Sequence, residues 1–134
     1  LGGCRPPPLA FPASINSEYP EERVRAVRTA VDYPYASAEE RRGVMEMLVG
    51  RLDDDDDAVR MFAIVALEKM TGTRLGYRYH APLGERLRAV QTWRRYLAEE
   101  AGRANAAGTT SARDEPASPS AELSAGGTGG GTSP

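Results

Sequence analysis

The chain is predicted to be all-α, about four helices packed as antiparallel hairpins, with disordered segments at both ends. Three observations lead there. Apolar residues recur at steps of three and four through four separate stretches, as on one face of a helix. No stretch of any length alternates as a strand would, and one arginine-alanine signature returns three times at helical positions.

The first helix is expected in INSEYPEERVRAVRTAVDYP. Asn16 or Ser17 suits a cap, Pro20 suits a first turn, and Glu21 and Glu22 complement the positive end of the helix dipole. Val24, Val27, Ala30 and Val31 form the stripe, and Pro34 ends it because the residue before a proline avoids helical angles. A second helix is expected in ASAEERRGVMEMLVGRL, where Ser37 and Glu40 have capping-box spacing and Val44, Met45, Leu48, Val49 and Leu52 make the apolar face. A connection this short places the two helices antiparallel.

The third helix, within DDDDDAVRMFAIVALEKMTG, carries the clearest punctuation. Asp53 to Asp57 lie where backbone N–H groups lack partners, and Gly72 suits the left-handed conformation that closes a helix. Val59, Phe62, Ala63, Ala66, Leu67 and Met70 share one face. After the loop TRLGYRYHAP, the stretch LGERLRAVQTWRRYLAEEAG repeats the pattern with Leu83, Leu87, Val90, Trp93 and Leu97.

Composition sets the boundaries. The chain has 134 residues, of which 40% are hydrophobic, and the large apolar residues thin out after Leu97. Residues 102–134 are nearly all Ala, Gly, Ser, Thr and Pro, with Leu123 as the one large aliphatic, too little apolar surface to offset the entropy of ordering. The expected division is a Pro-rich tether over 1–15, a helical domain over 16–101 and a disordered tail over 102–134.

Net charge is −2, which gives no global case for nucleic acid as a partner. Of seventeen basic residues only Lys69 is a lysine, an imbalance that reads as GC-rich coding bias and weakens each arginine as a functional signal. The single cysteine, Cys4, excludes an intramolecular disulfide and a cysteine-cluster metal site, and the single histidine, His80, argues against a histidine metal site or a Ser/His hydrolase. No apolar run approaches the roughly 20 residues of a spanning helix.

Self-comparison yields the repeat. Arg23 to Ala30 aligns with Arg86 to Trp93 with five identities in eight, and Arg60, Ala63 and Ile64 follow Arg23, Ala26 and Val27 at a constant offset of 37. Ala89 and Val90 complete the third copy, only 26 residues on, so that unit is shortened. An alanine inside a bulky stripe lets two helices approach. An arginine one turn earlier lays its stem on apolar surface and sends its head to carbonyls or an aspartate of a neighbouring turn.

These features resemble the HEAT-repeat family, including the bacterial HEAT-like repeats named after phycobilisome lyases. The carriers lie in LVGRLDDDDDAVRMFAIVALEKMTG, where Asp55 or Asp57 (here assigned to Asp57), Val59, Arg60, Ala63, Ala66 and Leu67 take the motif positions. TGTRLGY with the downstream ER..AV..W also looks like the end of small bacterial HEAT proteins. The resemblance implies a short right-handed α-solenoid that serves as a scaffold or protein-binding module without catalysis or cofactor, with a phycobilin-lyase relative as the enzymatic alternative. Leu1, Gly2, Gly3 and Cys4 resemble the lipobox of bacterial lipoproteins, which implies lipid on Cys4 and a place at the cell envelope, with RPPPLAFPAS as a stiff tether. The alternative is an ordinary thiol and a cytoplasmic protein.

The candidate binding surface is the arginine- and tyrosine-rich segment from Thr73 to Arg95. Arg74, Tyr77, Arg78, Tyr79, His80, Trp93 and Arg94 combine guanidinium and aromatic groups, as protein interfaces and anion sites do. The competing reading packs Tyr77 and Trp93 into the open end of the stack and leaves the arginines as a solvated rim. No carboxylate or nucleophile stands near His80 in sequence, the aspartate run lacks the spacing of a calcium loop, and no small-molecule substrate is evident.

Overall fold

A computed structural model of the chain describes residues 10–130, with side chains through residue 107. A 3₁₀ turn, Ala13–Asn16, precedes four helices: α1 Pro20–Asp32, α2 Ala38–Arg51, α3 Asp57–Thr71 and α4 Leu83–Gly130. No strand occurs among the described residues.

Each helix begins where local chemistry permits. Tyr19 caps α1 with Pro20 at the first position, and the Ser17 hydroxyl accepts from Tyr19 N at 3.1 Å and donates to the Glu22 carboxylate at 2.7 Å. Ser37 caps α2, its oxygen accepting from Glu40 N at 3.0 Å, while the Glu40 carboxylate accepts from Ala36 N. For α3 the capping residue is Asp56, whose Oδ1 accepts from Ala58 N at 2.9 Å and Val59 N at 3.0 Å. Gly72 closes α3 at φ +88°, a conformation that costs a side-chain-bearing residue and costs glycine nothing.

The chain forms two compact units, Leu1–Leu97 and Ala98–Pro134. In the first, α3 is the central element, with α1 and α2 both packed against it. Among the helices α1 packs most extensively against α3 and little against α2, its neighbour in sequence. Side-chain size permits it: Ala26 and Ala30 on α1, and Ala63 and Ala66 on α3, are buried, and residues this small allow two helices to approach. Ile64, Leu67, Leu48, Val49, Leu52, Val27, Trp93 and Tyr77 fill the rest of the core.

One boundary differs from expectation. Ile15 is fully buried, and Phe11 packs on the core with its ring 4.4 Å from that of Tyr33, so the folded unit includes residues assigned to the tether. Helix α4 runs from Leu83 in the first unit to Gly130 in the second. In that second unit none of the described side chains is buried. On α4, Val90, Trp93 and Leu97 face the core as expected, but Leu83 and Leu87 do not, with 55% and 39% of their surface exposed. α4 is the last helix of the first unit, and no further helix of that unit covers them.

Candidate functional site

The most connected group of the first unit is the carboxylate of Asp54, only 5% exposed, in the turn between α2 and α3. Its Oδ1 accepts from Arg23 Nη2 of α1 at 2.9 Å and from Asp56 N at 3.0 Å, and its Oδ2 accepts from Arg51 Nη1 of α2 at 2.8 Å. Burial alone would raise the Asp54 pKa. The Asp56 N–H and the Arg23 and Arg51 guanidinium groups outweigh it and hold the carboxyl below the usual carboxylate range. With three of its roughly four lone-pair directions engaged and its side chain 1% exposed, the carboxylate is out of reach of a substrate, so Asp54 works as a fastening point.

The three repeated arginines do one recurring thing. Arg23 Nη1 donates to Ser17 O at 2.8 Å, Arg60 Nη1 to Asp54 O at 2.7 Å and Arg86 Nη1 to Ala81 O at 2.7 Å. Each thereby ties down the turn that leads into its own helix. The first two also reach forward, Arg23 to the Asp54 carboxylate and Arg60 Nε to Tyr79 O at 3.1 Å, so successive turns are stitched in order. The alanines of the repeat follow suit, with Ala26 and Ala63 fully buried and Ala89 half-buried. Val27, Ile64 and Val90, next to them, are buried, as are Val59, Ala66 and Leu67. The aspartate assignment needs correction: Asp57 is exposed in the first turn of α3, and Asp54 takes the arginines. Five adjacent aspartates look alike in sequence, and which one points inward depends on how the turn after Leu52 is folded.

The segment proposed as a binding surface divides in two. Tyr77 and Trp93 are buried, the Tyr77 hydroxyl donating to Leu52 O at 2.7 Å and the Trp93 indole N–H to Arg74 O at 3.0 Å. Burial pushes the Tyr77 hydroxyl up to about 12, against the pull of Arg60 and Arg86. These two rings close the end of the core and offer nothing to a partner. Arg74 pairs with Glu68 at 2.9 Å and Arg78 with Glu85 at 3.4 Å. Tyr79 is half-buried with the exposed His80 edge-on to it, the centroids 5.1 Å apart. Of the seven residues, His80 and Arg94 are the exposed ones that form no ion pair among the described residues.

A second feature was not legible in sequence. Between α1 and α3 runs an open furrow of about 360 Å³, lined by Arg28, Val31, Asp32, Phe62, Val65, Ala66 and Lys69. The Arg28 guanidinium carbon sits 5.7 Å from the centroid of the Phe62 ring, within reach of its negative face. Close α1–α3 packing at the alanines leaves the longer side chains on the outer side to form the two walls. The repeat offset carried the register of these helices, but nothing in it marked which of their outer residues face each other.

Among the described residues no cluster of His, Cys, Asp or Glu has the makings of a metal site. No helix among the described residues is long and apolar enough to cross a membrane. Cys4 lies outside the described residues. Comparison with protein-family models, with curated proteins and with solved structures finds no match.

Proposed function

We propose that the first unit is a non-catalytic binding module, a short HEAT-like stack that holds a protein partner along the furrow between α1 and α3. The carrying observation is the make-up of that furrow, which brings the apolar side chains of Val31, Phe62, Val65 and Ala66 together with the cations Arg28 and Lys69 and a single acid, Asp32. An aromatic ring with a guanidinium laid over it is the kind of anchor that dominates interface energies. The polar groups buried elsewhere, Asp54 and Arg23 foremost, are consumed in holding helices together. Lipid on Cys4 would keep the module at the bacterial envelope.

Crosslinking and capture from cells that make the protein tests the reading. The wild-type chain should retain a defined partner, and the double variant Arg28→Glu/Lys69→Glu should lose it while unfolding at the wild-type temperature. Retention of the same partner by the variant removes the furrow from the account. The anchor is tested apart from this: Cys4→Ser should move the protein from the membrane to the soluble fraction, and an unchanged distribution rules the lipid out.

A further inference from the structure

Outside the furrow, the outer side of α4 carries an unusual combination. At roughly 100° per residue, Leu83, Arg94, Leu87, Gln91, Arg95 and Arg88 fall within about 140° of the helix circumference, a sector that begins about 20° beyond Val90 and extends away from the side that buries Val90, Trp93 and Leu97. No acidic side chain lies in that sector between Leu83 and Leu97, since Glu85 projects elsewhere and is engaged with Arg78. Arg88, Arg94 and Arg95 are exposed and form no ion pair with any described residue. Seven of the other ten arginines with described side chains in the first unit are committed to carbonyls or carboxylates, Arg25, Arg28 and Arg42 being the exceptions, and this trio is set apart by falling in one sector of one helix.

We propose that this sector of α4 lies on an anionic phospholipid surface, with the guanidinium groups on headgroup phosphates and the two leucines in the shallow acyl boundary. Charge complementarity supplies the cationic half of the argument, because a fork of N–H donors meets phosphate in pairs. Leu83 and Leu87 supply the other half and decide between polyanions. Nucleic acid offers aliphatic side chains little and rewards exposed aromatics that stack on bases, whereas the side chains of this sector include no ring, and Tyr77 and Trp93 are sunk in the core. The contact is independent of lipid on Cys4 and would set the orientation of a module tethered to a membrane by any means.

The test uses the full chain carrying Cys4→Ser, so that acylation plays no part, in co-sedimentation with vesicles of equal parts phosphatidylglycerol and phosphatidylcholine and with vesicles of phosphatidylcholine alone. Binding is expected on the anionic vesicles only, and it should weaken with salt. Arg88→Gln/Arg94→Gln/Arg95→Gln should lower the partition coefficient about a hundredfold, near fivefold for each charge. Leu83→Gln/Leu87→Gln should lower it about tenfold. Because all five side chains are exposed, both variants should unfold like the parent. No binding to anionic vesicles at low salt, or binding that neither variant weakens, overturns the proposal. So does equal capture of a double-stranded oligonucleotide by the parent and the leucine variant, which would make the face a nucleic-acid site.

Discussion

Asp54 shows what a single buried charge does in a small domain. Removing it strands Arg23, itself buried, and frees Arg51, and breaking such a pair from one side costs about 3–5 kcal/mol. Asp54→Ala should therefore lower the urea midpoint of unfolding by a large fraction of its value. Its acid behaviour has a definite sign. The folded pKa is lowered, so the stabilisation is complete above the unfolded value of about 3.9 and is lost as pH falls through the folded value. Asp54→Asn should flatten that part of the acid-unfolding curve. A curve that keeps the wild-type slope would mean that other carboxylates control it. At the alkaline end Tyr35 and Tyr77 are both pushed up to about 12 by burial, with hydroxyls that donate to Ala30 O and Leu52 O. Raised folded values mean stability that is intact below the unfolded value of about 10 and lost as pH rises towards 12. Phenolate absorbance should resolve these two of the six tyrosines as ionising late, and Tyr77→Phe should remove one late component.

At the scale of the helix, punctuation and packing separate cleanly within one run of aspartates. Asp56 accepts two backbone N–H groups of α3, whereas Asp57 is exposed and accepts none among the described residues. Asp56→Ala should cost about 1 kcal/mol and Asp57→Ala less than about 0.5, read as the difference in thermal midpoint between two variants that remove the same charge. Equal losses would mean that the acidic run acts through the helix dipole alone. The run, the glycine after it and the Ser37–Glu40 box were legible beforehand, because caps depend on residues three or four apart. Leu83 and Leu87 were misplaced for the converse reason. Their spacing continues the α4 stripe, but whether a stripe position is covered depends on a neighbour that the spacing does not contain.

For the molecule as a whole, the core is confined to the first unit, from Ile15 to Leu97. The second unit has no buried side chain among those described, so removing residues 103–134 should leave the thermal midpoint almost unchanged, within about 0.5 kcal/mol of stability. A marked drop in midpoint would show that the tail contributes packing to the domain. Removal of Phe11 to Ile15, read from composition as tether, should by contrast be costly, because it opens the core at a fully buried isoleucine.

Sequence alone determined the all-α class, the four helices, most of their ends and the three arginine-alanine signatures, all of which are written in neighbours a few residues apart and so survive without knowledge of the third dimension. Only the tertiary structure decided that Asp54 is the inward aspartate, that Tyr77 and Trp93 belong to the core, and that α1 packs more extensively on α3 than on α2. It alone placed Arg28 over Phe62 and left Leu83 and Leu87 in the open. Those outcomes turn on which side chains are brought together across 19 to 34 residues of chain, and burial, unlike periodicity, is a property of the pair rather than of either residue.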